Sequence, residues 1–113
     1  MDRVKTYREI VKRLLSDRAS DARPSLPDGM EVTCLFDDET GQYAVLSIGW
    51  MQGERISGPI LLLRIKDGVI WVEEDGTDAP IADDLVAAGV PYKSIVLGFQ
   101  PPDIRPFTEF AAA

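Results

Sequence analysis

Asp67-Gly68 stands between two strongly apolar runs, "RISGPILLLRIK" at about 55–66 and "GVIWVEED" just after it. A two-residue hairpin turn needs positive φ at both central positions, and Asp-Gly accepts that conformation readily. The two runs are therefore predicted to pair as antiparallel strands. Gly58-Pro59 interrupts the first of them. Proline cannot donate to a ladder, so a bulge or an edge is predicted there.

Two more strands precede this hairpin. "MEVTCLFD" alternates Met30, Val32, Cys34 and Phe36 on one face, and "QYAVLSIGW" runs from 42 to 50. The polar "DDETG" makes a tight connection between them, and Gln52-Gly53 turns the chain into the third strand. Before the strands, residues 2–18 read as a helix. Val4, Tyr7, Ile10, Val11, Leu14 and Leu15 form one apolar stripe at helical period, and Asp2 is placed to cap its first turn. "SDARPSLPDG" then predicts a loop at about 20–29.

After the fourth strand, Asp75-Gly76-Thr77-Asp78 reads as a turn. Asp78 or Thr77 is expected to cap a short helix, with Pro80 in its first turn, Ala88 near its end and Gly89 stopping it. Asp83 and Asp84 suit its positive end. An apolar run at 95–99 is a candidate fifth strand. The predicted fold class is α+β: a long N-terminal helix packed on an antiparallel β-meander of four to five strands, with a short second helix. Residues 1–113 are expected to form a single domain.

Composition removes whole classes of chemistry. The chain has no histidine and one cysteine. That excludes Ser-His-Asp and Cys-His catalysis, His-ligated metals and a thiolate cage. Cys34, inside an apolar run, reads as a small buried hydrophobe. "MDRVKTYREIVKRLL" mixes charge with apolar residues, unlike a signal peptide, and no run approaches a membrane span. A cytoplasmic location is the expectation.

Charge is unevenly spread. Residues 1–23 hold seven basic and four acidic side chains, and residues 24–113 hold five and fifteen. So acidic a body repels phosphate. Any contact with DNA is expected to be weak and confined to Arg3, Lys5, Arg8, Lys12 and Arg13. Two acidic clusters, Asp37-Asp38-Glu39 and Glu73-Glu74-Asp75 with Asp78, raise the possibility of a carboxylate–metal hydrolase using Asp37, Asp38 or Asp75. Their position at turns favours a structural reading, since Asp suits turn backbone and capping. No phosphate-binding loop is present. Trp50 and Trp71 read as sheet packing.

"YREIVKRLL", "YAVLSIGW", "IKDGVIWVEEDGTD" and "IADDLVAAGVPYKSIVLGFQPPDIRPFTEFA" together resemble the XisI family, the fdxN element excision controlling factors of cyanobacteria. The resemblance spans 4–112. Its most specific part combines Gly89, Pro91, Gly98, Pro102, Arg105, Thr108 and Phe110 at the family spacing. Gln100 stands where family members often have histidine. The resemblance implies an α+β fold and a regulatory part in site-specific excision of a DNA element during heterocyst differentiation, the cutting being done by a separate recombinase. It implies a XisH-like, endonuclease-like partner, and no catalytic, cofactor or metal residues. An antitoxin-like inhibitor of that nuclease is a variant of the same reading. Pairing of the chain with itself is left open.

The last segment, "PPDIRPFTEFAAA" (101–113), is expected to fold back onto the domain, with part of its surface available to a partner. Its prolines narrow the unfolded ensemble, and burying Phe107 and Phe110 would stabilise the docked state. Arg105 and Thr108 are expected to pair with an acid and a backbone group, or to reach a partner. Gln100, Asp103, Arg105 and Thr108 are the candidate partner-binding residues.

Overall fold

The structure, a computed structural model, describes residues 2–113. Helix α1 (Arg3–Ala22) opens the chain. Asp2 caps it, accepting from the Val4 and Lys5 amides at 3.0 and 3.3 Å. Tyr7, Val11, Leu15 and Ala19 recur every four residues and are buried. Ala19 carries the stripe one turn past the predicted end, so the helix outruns the expected boundary at 18. α1 and a short 3-10 turn at Arg23–Ser25, with Pro24 inside it, together take up the first part of the expected loop at 20–29.

Strands β1 (Met30–Asp37), β2 (Gln42–Met51), β3 (Glu54–Lys66) and β4 (Val69–Asp75) follow as an antiparallel meander. Asp67 and Gly68 both adopt positive φ, 54° and 76°, as the hairpin requires. The irregularity predicted at Gly58-Pro59 is a bulge. Val45 pairs with Leu61 and Leu46 with Pro59, which leaves Ile60 as the extra residue. Pro59 also lies beyond the reach of β4, whose pairing with β3 begins at Leu61. The missing N–H therefore costs no ladder bond on that side.

Helix α2 (Ile81–Ala87) crosses over to β5 (Ile95–Leu97). The crossover makes β5 parallel to β4, so the sheet of order β1-β2-β3-β4-β5 is mixed. The predicted cap of α2 is corrected. Neither Thr77 nor Asp78 caps it; Asp75 reaches across the turn and accepts from the Ile81 amide at 2.8 Å. Pro80 sits at the N-cap position and Ala88 at the C-cap.

Both helices lie on one face of the sheet. Their buried residues form one cluster with Val32, Tyr43, Val45, Leu61, Leu63, Ile70, Val72 and Ile95. Arg18 ties the helices together: its guanidinium donates to Asp84 at 2.9 Å and to the Ala79 carbonyl at 2.7 Å. Among the described residues no helix is long and apolar enough to cross a membrane.

Each sheet edge is blunted. At β1, the Arg23 guanidinium donates to the Val32 carbonyl at 3.2 and 3.3 Å. At β5, the C-terminal segment lies alongside: Ala111 bridges Val96 in parallel, and its amide donates to the Ile95 carbonyl at 2.8 Å. Open edges are templates for unwanted pairing, and both devices occupy groups that would invite it.

Candidate functional site

The three carboxylates that could serve a hydrolase are all engaged in structural contacts, Asp37 and Asp75 within turns and Asp38 with Lys12 and Tyr43. Asp37 closes the β1–β2 connection by accepting from the amides of Glu39 and Thr40 and from the Thr40 hydroxyl, the last at 2.8 Å. The Thr40 hydroxyl and the Glu39 amide hold its carboxyl below the usual range. Asp38 accepts from Lys12 Nζ at 2.9 Å and from the Tyr43 hydroxyl at 2.8 Å. Lys12 first, then Tyr43, lowers the Asp38 pKa. Burial, reinforced by the bond to Asp38, pushes the Tyr43 phenol up to about 12. Asp75 accepts from the Thr77 amide and hydroxyl and from Ile81. Asp37 and Asp75 lie at separate turns, and no group of three or more His, Cys, Asp or Glu among the described residues is placed to hold a metal.

The basic residues of α1 are partly spent in the same way. Lys12 pairs with Asp38 and Arg18 with Asp84. Arg8 is half-buried, while Arg3, Lys5 and Arg13 stay exposed. Cys34 is half-buried, with its thiol 3.8 Å from the Leu15 carbonyl. Burial raises its pKa, only partly offset by Arg23. A raised thiol is a poor nucleophile.

The family-specific residues near the C-terminus gather into one clasp. Arg105 donates through Nε to the Gln100 carbonyl at 3.0 Å and through Nη2 to the Gly98 carbonyl at 3.1 Å. Its guanidinium lies 5.4 Å from the ring centroid of Trp71 on β4, and Lys66 Nζ lies 5.8 Å from the same centroid. Thr108 donates its hydroxyl back to the Arg105 carbonyl at 2.8 Å and accepts from the Phe110 amide at 3.3 Å. Gly98 lies against the Glu73 carboxylate, and a Cβ there would collide with it. Glu73 in turn is 2.8 Å from Arg64 Nε. The segment is thus held as an arch from Gly98 to Ala111.

Phe110 closes the arch. Its ring lies 5.3 Å from that of Tyr92, and its carbonyl accepts from Lys93 Nζ at 3.2 Å. With Phe99, Pro80 and Ala82 it lines a shallow cavity of about 230 Å³. The arch answers the sequence expectation in part. The segment docks on its own domain, and Phe110 packs against the core. Phe107, expected to be buried, is 87% exposed. It falls in the short 3-10 turn Arg105–Phe107, whose pitch aims it away from the sheet while Arg105 points in.

Of the four candidate partner-binding residues, the structure brings Gln100, Arg105 and Thr108 together and leaves Asp103 exposed at the crown of the arch. Arg105 meets two backbone carbonyls and an indole, and no acid. Trp71 is the residue that sequence reasoning missed as its platform. Alternation held the signal: Ile70 and Val72 face the core, so Trp71 faces the other way. Trp50 is likewise not packed in the sheet as expected. It stands 57% exposed, with the Arg55 guanidinium 5.6 Å from its ring centroid.

The chain is similar in structure to a XisI-like protein from Anabaena variabilis, with a TM-score of 0.90 and 37% identity over 97% of this chain and 99% of that one. It is similar to the fdxN element excision controlling factor XisI from the same organism, with a TM-score of 0.85 and 38% identity over 99% of this chain and 100% of the other. No curated protein matches. The model of the family described as XisI protein matches residues 1–112. With a match of that extent, the chain belongs to the XisI family.

Proposed function

We propose that this protein is a non-catalytic accessory factor that helps control excision of a DNA element, and that it acts in the cytoplasm by binding a XisH-like, endonuclease-like partner. Membership of the XisI family supports the role, since one structural relative is an excision controlling factor. The engagement of Asp37 and Asp75 in turns, and of Asp38 with Lys12 and Tyr43, supports the absence of catalysis.

One observation carries the proposed contact surface. The arch is braced from below by Arg105 and Thr108, yet it presents Phe107 almost fully to solvent, beside Ile104 and Asp103, which are also exposed. An exposed aromatic on a rigid mount is the usual form of an interface anchor. The acidic body then favours a basic partner and speeds encounter with it. In this reading Phe107, Ile104 and Asp103 meet the partner, and Gln100, Arg105 and Thr108 set their position.

Co-expression with the XisH-like protein tests it. The wild-type chain is expected to co-purify with that protein, and Phe107→Ser is expected to lose it while keeping its melting temperature. Retention of the partner by Phe107→Ser would move the contact elsewhere. Failure of the wild type to co-purify, or metal-dependent hydrolysis that disappears in Asp37→Ala, would sink the proposal.

A further inference from the structure

The arch is not the only apolar surface left open. Both helices cover the inner face of the sheet, and among the described residues no helix packs on the outer face of β1–β3. Leu35 there is 63% exposed and Trp50 is also bare, with Leu46, Ile48 and Leu62 half-covered between them. An antiparallel sheet commonly leaves one face to water, but that face is then polar; an apolar one marks an interaction surface.

The charges around this face identify the layer. Cross-strand partners share a side, so the register fixes who stands level with whom. On β1 the face has an acid at each end, Glu31 and Asp37. On β3 it has a base at each end, Arg55 and Arg64. Asp37 is level with Arg64 through Gln42, and Leu35 is level with Leu62 through Ala44. Glu31 is level with Ser57 through Ile48, two residues from Arg55.

A two-fold axis lying along β2 would exchange β1 and β3 between two copies stacked face to face. Leu35 would then pack on the Leu62 of the second copy, Glu31 would approach its Arg55, and Asp37 would stand over its Arg64, which Glu73 of that copy already holds. Symmetry makes each contact occur twice. Trp50 and Ile48, on the axis strand, would meet their own counterparts. Arg64 is already held by Glu73 of its own chain, so the complementarity across the axis is carried by Glu31 and Arg55, in a chain of net charge −7. Two such chains can therefore approach here without like charges meeting. The overlap is the three strands β1–β3, since the arch covers β4 at Trp71, and it measures on the order of 400 Å² in projection. That is below the ~800 Å² per partner of a standard interface, so the expected dimer is a weak, concentration-dependent one.

We propose that the outer face of β1–β3 is a homodimer interface, occupied by a second copy of this chain packed sheet to sheet about a two-fold axis along β2. The inference is independent of the XisH-like partner, which the arch would engage.

Sedimentation of the full chain over a roughly hundredfold concentration range tests it. The wild type is expected to pass from monomer to dimer. Leu35→Asp is expected to weaken the dimer at least about tenfold, because it desolvates a charge against Leu62. Glu31→Arg and Arg55→Glu are each expected to weaken it by about tenfold, and the double variant to recover most of the loss. That recovery holds the test open should Leu35→Asp fail to fold. A wild type that stays monomeric, a dimer indifferent to Leu35→Asp, or a double variant no tighter than the singles would overturn the proposal. So would a monomeric chain in which Leu35→Asp loses only the XisH-like protein, since that would give the face to the other partner.

Discussion

Leu15 and Leu35 are the same side chain on opposite sides of one sheet. Leu15 is fully buried between α1 and the strands, in a cluster that also holds Tyr43 and Leu63. Leu35 stands mostly in solvent on the outer face. The strands alternate on both sides, yet only one side has a helix to receive them. The difference separates the part of the molecule that holds the fold from the part free to do something else. The most direct way to break this comparison is to truncate both leucines. Leu15→Ala is expected to destabilise by about 3 kcal/mol, through lost burial and the cavity left behind. Leu35→Ala, measured at a concentration where the chain is monomeric, should stay within about 0.5 kcal/mol. Denaturant unfolding of the two variants decides it. Equal losses would mean that the outer face is as much core as the inner one.

The C-terminal arch repeats the contrast on a smaller scale. Phe110 faces inward against Tyr92, and Phe107, three residues earlier, faces out. Phe110→Ala is expected to cost about 2 kcal/mol, roughly half the loss at a full core site because the ring is half-buried. Phe107→Ala should cost less than about 0.5 kcal/mol. Thermal unfolding of both sharpens the split between mount and anchor. A large loss from Phe107→Ala would show that the exposed ring is structural and would remove the arch as a docking surface.

These pairs also mark what the sequence discloses. The Asp67-Gly68 hairpin, the α1 stripe, the Asp2 cap and the Gly58-Pro59 irregularity were all legible, because each is set by local backbone chemistry within a few residues. The direction of β5 was not, since it depends on a crossover whose path local propensity does not encode. Asp75 reads as a turn residue in the sequence, and it is one. Its second task, receiving the Ile81 amide, needs the turn's three-dimensional path. Phe107 and Phe110 look alike in sequence, and only the 3-10 turn between Arg105 and Phe107 sends them different ways. The clasp was half legible. Arg105, Thr108 and Gly98 stand out in the family spacing, while their platform Trp71 lies on a different element. The outer sheet face gave little warning, because alternation marks two sides without saying which is covered.

A third comparison sets the β1–β2 turn against itself across pH, and its effect is the smallest. Tyr43 is buried and donates to Asp38, which Lys12 also holds. The Asp37 and Asp38 carboxyls are lowered in the folded chain. Their contribution is therefore present above the ordinary carboxylate pKa and is lost as pH falls through the folded values, so stability should decline in acid. Tyr43 works in the opposite direction. Its folded pKa is about 12, against an ordinary value of 10.0. Its contribution is complete below pH 10 and drains away between 10 and about 12, as the unfolded phenol ionises first. Tyr43→Phe removes one hydrogen bond and is expected to cost about 1 kcal/mol at neutral pH. Above pH 10 the wild type alone bears the ionisation penalty, at up to ~1.4 kcal/mol per pH unit. The two stabilities should therefore cross near pH ~11. Denaturant unfolding of wild type and Tyr43→Phe at a series of pH values from neutral upward reads the crossing. A constant gap between the two curves would mean that the Tyr43 phenol is free to ionise in the folded state, and that the bond to Asp38 does not hold its proton.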